Sequence, residues 1–258
     1  MRLRYLGRKL RLTMLLIGVW LLILHTQMLL FAQDTPSLVL NTPIHDTFAG
    51  TPLAYTLNLE STDPLVVTLH AVDPLGDLQF PTLTLNDAEM AAIATTRDHI
   101  VRFGQTTHQA TLFIIPPEIG DYQLLVDRLP ETDSTGEFIL QVHQPQLLDT
   151  DQPINAEITS DAGYDFYLVD STSDFNILYE KLSGDYAPEV RVNRVSENGE
   201  LLGIGYLAGD ELTQGTLGRY TANSPYIISV GWLTSSFLTN RFQPEIVSSE
   251  YQLMLQTE

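Results

Sequence analysis

The chain contains no cysteine. That excludes disulfide staples, thiolate metal ligands, cysteine nucleophiles and a lipid anchor attached through cysteine. Lysine is almost as scarce, because Lys181 is the only one after Lys9. No Asn-x-Ser/Thr glycosylation acceptor occurs. There is also no Gly-x-Ser-x-Gly elbow, phosphate loop or dinucleotide fingerprint. No two histidines stand four apart, so a His-Glu-x-x-His zinc site is excluded. Helical periodicity is nearly missing. Asp87–Ala94, with an acidic start and good helix formers, is the one stretch that reads as a short helix.

What the chain does have begins with a basic cluster, Arg2, Arg4, Arg8, Lys9 and Arg11, followed by an apolar run from Leu12 to Ala32. A positive segment, an apolar segment and a small residue make a secretory signal, with cleavage after Ala32 and a mature start at Gln33. The run also approaches the roughly 20 apolar residues of a membrane span, which fits an uncleaved anchor. Both readings put the remainder outside the cytoplasm: secreted, periplasmic or on the cell surface. Only the second keeps it on a membrane. An exported chain without cysteine fits a bacterial source. Of 13 basic residues the leader takes 5, leaving 8 against 32 acidic ones and a net charge of −24. Such a surface repels nucleic acid and anionic headgroups. It suits divalent cations, cationic partners or simple solubility.

Beyond the leader, short runs of β-branched, aromatic and aliphatic residues recur between Gly, Pro, Asn and Asp. They include Leu53–Leu59, Leu65–Val72, Gln109–Ile115, Tyr122–Asp127 and Phe138–His143. Pro145 and Pro153 flank a break near 144–151. The order of elements then recurs. Tyr55 and Tyr167 mark early strands, Tyr122 and Tyr226 late ones, and Phe138–Val142 and Tyr251–Leu255 close each half. Between them, Pro64 leads Leu65–Leu69 to Gly76, and Pro188 leads Val190–Val192 to Gly199, which reads as one middle strand occurring twice. The expected architecture is all-β: a signal or anchor over 1–32, then two tandem jelly-roll-like antiparallel β-sandwich domains over 33–144 and 145–258. Tyr122, Leu124 and Val126 should share one buried strand face, as should Tyr226, Ile228 and Val230.

These residues resemble bacterial pre-peptidase C-terminal domains, in two tandem copies. In that family an aspartate and aromatics open the early strand, as in Asp165-Phe166-Tyr167, and a glycine turn follows a middle strand, as at Gly199. A Gly-x-Tyr element precedes the late strand, as in Gly120-Asp121-Tyr122. The first half departs from the pattern at Leu53, where the aspartate would stand, and the second at Ser224-Pro225. The resemblance implies a non-catalytic accessory module of about 80–110 residues per copy, with a catalytic partner on another chain. Calcium near the early strand is known in some members.

Two sites follow. Asp161, Asp165, Asp170 and Asp174 crowd one segment and could supply oxygens to Ca2+, the one cofactor the sequence offers. Trp232 and Phe237 lie in a long connection after the late strand and could stack on a sugar or anchor a protein interface. The expected function is binding of a protein or glycan partner, not nucleic acid. The alternatives are a calcium-dependent carbohydrate-binding or adhesion protein, and an extracytoplasmic hydrolase whose residues no motif announces.

Overall fold

Alternating apolar and polar residues form strands throughout the computed structural model, which describes residues 35–72, 78–96, 108–130, 132–159, 164–184, 188–196, 201–208, 213–222, 225–231 and 248–257. The first set of strands is β1 (Ser37–Leu38), β2 (Ile44–Phe48), β3 (Leu53–Leu59), β4 (Leu65–Ala71), β5 (Pro81–Asn86), β6 (Ala92–Thr95), β7 (Gln109–Ile114), β8 (Gly120–Arg128) and β9 (Gly136–His143). The second set is β10 (Gln146–Leu147), β11 (Ile154–Thr159), β12 (Tyr164–Val169), β13 (Phe175–Lys181), β14 (Glu189–Val195), β15 (Leu201–Leu207), β16 (Gln214–Tyr220), β17 (Tyr226–Gly231) and β18 (Ser248–Thr257). Among the described residues there is no helix.

Each set makes one sandwich of a five-stranded and a four-stranded sheet. The first pairs β1-β3-β8-β5-β6 with β2-β9-β4-β7, and the second pairs β10-β12-β17-β14-β15 with β11-β18-β13-β16. Strand order is thus the same in both. Among the described residues every pairing between named strands is antiparallel except the two short edges, β1 on β3 and β10 on β12. One core fills the first sandwich, including Leu57, Leu83, Leu112, Leu124, Phe138 and Leu140. Another fills the second, including Val169, Ile177, Val190, Ile228, Tyr251 and Leu253.

Registers place the halves in correspondence. Leu53 faces Val126, Tyr55 faces Leu124 and Leu57 faces Tyr122. Asp165 faces Val230, Tyr167 faces Ile228 and Val169 faces Tyr226. Tyr122, Leu124 and Val126 are buried together, and so are Tyr226, Ile228 and Val230. Each late-strand tyrosine also pins the turn before it. Tyr122 donates to the Glu118 carbonyl (2.6 Å), and Tyr226 donates to the Thr221 carbonyl (2.8 Å). A second anchor is the left-handed turn residue, Asn41 or Asp151, both at φ 58°. Their amides donate to Val142 and Leu255 respectively, so β9 and β18 align with Phe138 at the position of Tyr251.

Two expectations are corrected. The middle strands do not match as the prolines suggest. Leu65–Ala71 lies between β9 and β7 and corresponds to β13, whereas Glu189–Val195 lies between β17 and β15 and corresponds to β5. Proline, aliphatics and glycine occur around both kinds of strand, so composition could not separate them. Asp87–Ala94 is a turn leading into β6, not a helix. Asp87 Oδ1 accepts from the amides of Glu89 (2.9 Å) and Ala91 (2.8 Å), and Met90 turns left-handed at φ 66°. A carboxylate that captures nearby amides competes with a helix ladder, and pairing with β5 decides the outcome.

The sandwiches meet sheet to sheet. Val66 of β4 and Phe113 of β7 pack on Phe166 of β12 and Ile227 of β17, all buried. Tyr164, Leu168, Val195 and Leu201 border this contact. The His143 ring meets the Phe166 ring edge-on with centroids 4.8 Å apart, and its Nε2 lies 3.0 Å from the Thr68 hydroxyl. β17 is therefore buried at every position, with Ser229 the polar residue among apolar ones. β8, its counterpart, alternates.

Candidate functional site

Several titratable side chains inside the sandwiches are engaged by their neighbours, whereas the buried Tyr179 hydroxyl has no hydrogen-bond partner among the described residues. Asp165 is the second residue of β12 and accepts from the Tyr251 hydroxyl at 2.6 Å. Tyr251 has then committed its proton, so Tyr167, 2.6 Å from the Tyr251 oxygen, donates to it. Burial raises the Asp165 carboxyl above the usual carboxylate range, and the Tyr251 hydrogen bond opposes that rise. Burial pushes Tyr167 up to about 12, and Tyr251 is raised as well. These hydroxyls stay protonated and act as donors, not as bases. His143 is lowered to about 4 by burial and then by His70, so it is a neutral ring in the interface.

Of the four proposed calcium ligands, Asp161 lies outside the described residues. Asp165 and Asp170 stand at opposite ends of β12, about 16 Å apart at roughly 3.3 Å per residue. One ion cannot take both. Asp170 and Asp174 flank the same connection, but Asp174 is already used: it pairs with Arg219 at 3.5 Å and accepts from the Ala222 amide at 3.2 Å. Among the described residues no three His, Asp or Glu side chains gather as metal ligands. Trp232 and Phe237 lie outside the described residues.

The site that sequence reasoning missed is the outward side of the sheet β11-β18-β13-β16. It holds a shallow concavity of about 510 Å³ lined by Leu178, Glu180, Gln214, Thr216, Gln252 and Met254, together with Tyr179 and Gly215. Pairing registers lay these out in rows. Leu178 sits between Met254 and Thr216, and Glu180 between Gln252 and Gln214. Gln252 donates to Asn155 Oδ1 at 2.8 Å, which extends the polar row onto β11. One row further, Glu157 lies directly opposite Glu250. The floor is thus apolar, one border is amide, and carboxylates crowd one end. The available signal was alternation in Phe175–Lys181 and Ser248–Thr257, whose polar phase carries Leu178 and Met254 where polar residues would be expected.

The same face in the first sandwich is covered. By register Asn176, Leu178, Glu180 and Gln256 correspond to Val66, Thr68, His70 and His143. Val66 and His143 bury against the second sandwich, and polar side chains stand at their counterparts.

No family model and no curated protein matches the chain. Among solved structures, the pre-peptidase C-terminal domain of collagenase from Bacillus anthracis is 20% identical, covering 43% of this chain and 95% of that one, with a TM-score of 0.31. The periplasmic inhibitor of g-type lysozyme PliG from Aeromonas hydrophila is 17% identical over 43% of this chain and 96% of that one, with a TM-score of 0.28. The PBSX exported protein XepA is 9% identical over 84% of this chain and 88% of that one, with a TM-score of 0.23. At these identities and TM-scores the likenesses assign neither a family nor an activity to this chain.

Proposed function

We propose that the protein is an exported, non-catalytic β-sandwich module that binds a macromolecular partner through the open sheet of its second sandwich. The observation that carries this reading is the concavity on β11-β18-β13-β16, with Leu178 and Met254 half-buried on an outward sheet face. Apolar side chains left partly open on an otherwise polar sheet face are surface that docking would bury. The basic cluster and apolar run before Gln33 support export. The engagement of Asp165, His143 and Asp174 in structural contacts supports a non-catalytic role. The shared strand order and matched registers support an origin of the two sandwiches by duplication.

The test compares capture of extracytoplasmic proteins by the native protein and by a Leu178→Asp/Met254→Asp variant whose thermal melt is unchanged. A partner held by the native protein and lost by the variant supports the reading. A partner held equally by both moves the binding site elsewhere. Turnover of any substrate that disappears on substitution of Asp165 or His143 overturns the non-catalytic role.

A further inference from the structure

The open sheet of the second sandwich has a specific electrostatic character, and its covered counterpart shows what kind of occupant fits. In the first sandwich this face takes an apolar sheet, through Val66 and Phe113 on Phe166 and Ile227. A second copy of this chain could offer only the outward side of β1-β3-β8-β5-β6 to continue that stacking. The positions there matching Phe166, Leu168 and Ile227 are Ala54, Thr56 and Gln123, with Asp121, Leu125 and Asp127 in the same phase of β8. Acidic residues stand on both faces, and like charge opposes their docking, so head-to-tail stacking of copies is disfavoured here.

What remains is a face with an apolar floor and carboxylates that no ion pair offsets among the described residues, although Glu250 accepts from the Ser183 hydroxyl at 2.9 Å. Glu157 and Glu250 are directly paired across β11 and β18. Glu180 lies on the neighbouring row, opposite Gln252. All three are exposed. Like charges opposite one another on a sheet are destabilising, and a bound cation removes that cost. The outward phase of the four strands carries no Lys or Arg beside them. Lys181 reaches away to the Gly184 carbonyl (3.1 Å), and Arg219 is held by Asp174.

We propose, resting on the binding reading above, that this face takes an extended basic segment of a partner protein. Aliphatic side chains or lysine stems lie over Leu178 and Met254, and ammonium or guanidinium heads reach Glu180, Glu250 and Glu157. Long basic side chains are suited to this because their stems cover apolar surface while their heads meet carboxylates.

The test titrates the protein with a short peptide of alternating lysine and leucine, at low and at physiological salt, and maps the contact by amide chemical-shift changes. The expected result is binding that maps to β18, β13 and β16 and weakens with salt. It should fall about tenfold or more in Glu157→Gln/Glu180→Gln/Glu250→Gln and also in Leu178→Asn, while a charge-matched Asp63→Asn/Asp121→Asn/Asp170→Asn control binds as the native protein does. Equal loss in the charge-matched control overturns the proposal in favour of diffuse charge. Shifts confined to other strands overturn it as well. A natural partner that binds the face while the basic peptide does not, and that an uncharged peptide displaces, overturns the basic-segment assignment and leaves the binding reading standing. Native capture lost in neither Leu178→Asp/Met254→Asp nor the glutamine variant overturns both.

Discussion

The two sandwiches solve one interior problem in two ways. In the first, Asp46 reaches from β2 to the Tyr55 hydroxyl (2.7 Å), and Leu53 and Phe138 nearby are apolar. In the second, the position of Asp46 is Ala156 and that of Leu53 is Asp165. Phe138 has become Tyr251, which relays between Asp165 and Tyr167. A carboxylate serves the tyrosine of the early strand in both, directly in the first sandwich and through Tyr251 in the second. It comes from the four-stranded sheet in one sandwich and from the five-stranded sheet in the other. The polar contact is kept while its side of the core changes, so the partner and not the position is what the fold requires. A buried phenol left without an acceptor costs free energy, and either sheet can supply one.

This comparison can be broken or sharpened experimentally. The largest effect should come from the late-strand tyrosines. Tyr122→Ala and Tyr226→Ala should each cost about 3–5 kcal/mol in chemical denaturation, since each removes a buried ring and a turn pin. A much smaller loss for one would show that the sandwiches do not depend equally on this position. Next, Phe166→Ala should cost about 3 kcal/mol and split one unfolding transition into two, because it empties the contact between the sandwiches. A single transition with an unchanged midpoint would deny that contact any role in stability.

The third effect concerns pH. His143 binds its proton near 4 when folded and near 6.5 when unfolded. Between these values the unfolded chain takes up a proton that the folded one does not. Stability is therefore complete above about pH 6.5 and declines as the pH falls toward 4, by about 3 kcal/mol in all. His143→Gln should flatten most of that slope in denaturation midpoints, leaving a smaller part from His70, which is shifted in the same direction by burial and by His45. Smaller again, Tyr55→Phe and Tyr251→Phe should cost about 1.5–3 kcal/mol each, with Tyr251→Phe the larger because it strands both Asp165 and Tyr167. Adding Asp165→Leu and Ala156→Asp to Tyr251→Phe rebuilds the arrangement of the first sandwich and should recover most of the loss. The smallest effect should be calcium. With Asp165 and Asp170 at opposite ends of β12, saturating calcium should leave the melting midpoint unmoved, and a rise that chelator reverses would reopen the aspartate segment as a site.

Much of the fold was legible because alternation and turn residues are local signals. β3, β4, β7, β8 and β9 fall within a residue or two of the runs picked out by composition. The early and late tyrosines and the closing strands also align as their sequence order implied. The middle-strand correspondence was not legible. β4 is buried on both faces by a neighbour that only the tertiary structure supplies, and so looks like any apolar run after a proline. The same holds for the open sheet. Leu178 and Met254 are ordinary residues in sequence, and they become a candidate surface only when register sets them side by side. The aspartate segment shows the converse: Asp165 and Asp170, close in sequence, are separated by an extended strand.

Only Gln144 and Pro145 stand between β9 and β10. The two apolar faces are thus held at a very high effective concentration, and their docking carries almost no penalty for bringing two bodies together. A patch built from four buried side chains, Val66, Phe113, Phe166 and Ile227, then suffices where two free proteins would need a far larger one. Sandwiches supplied as separate chains at micromolar concentration would stay apart.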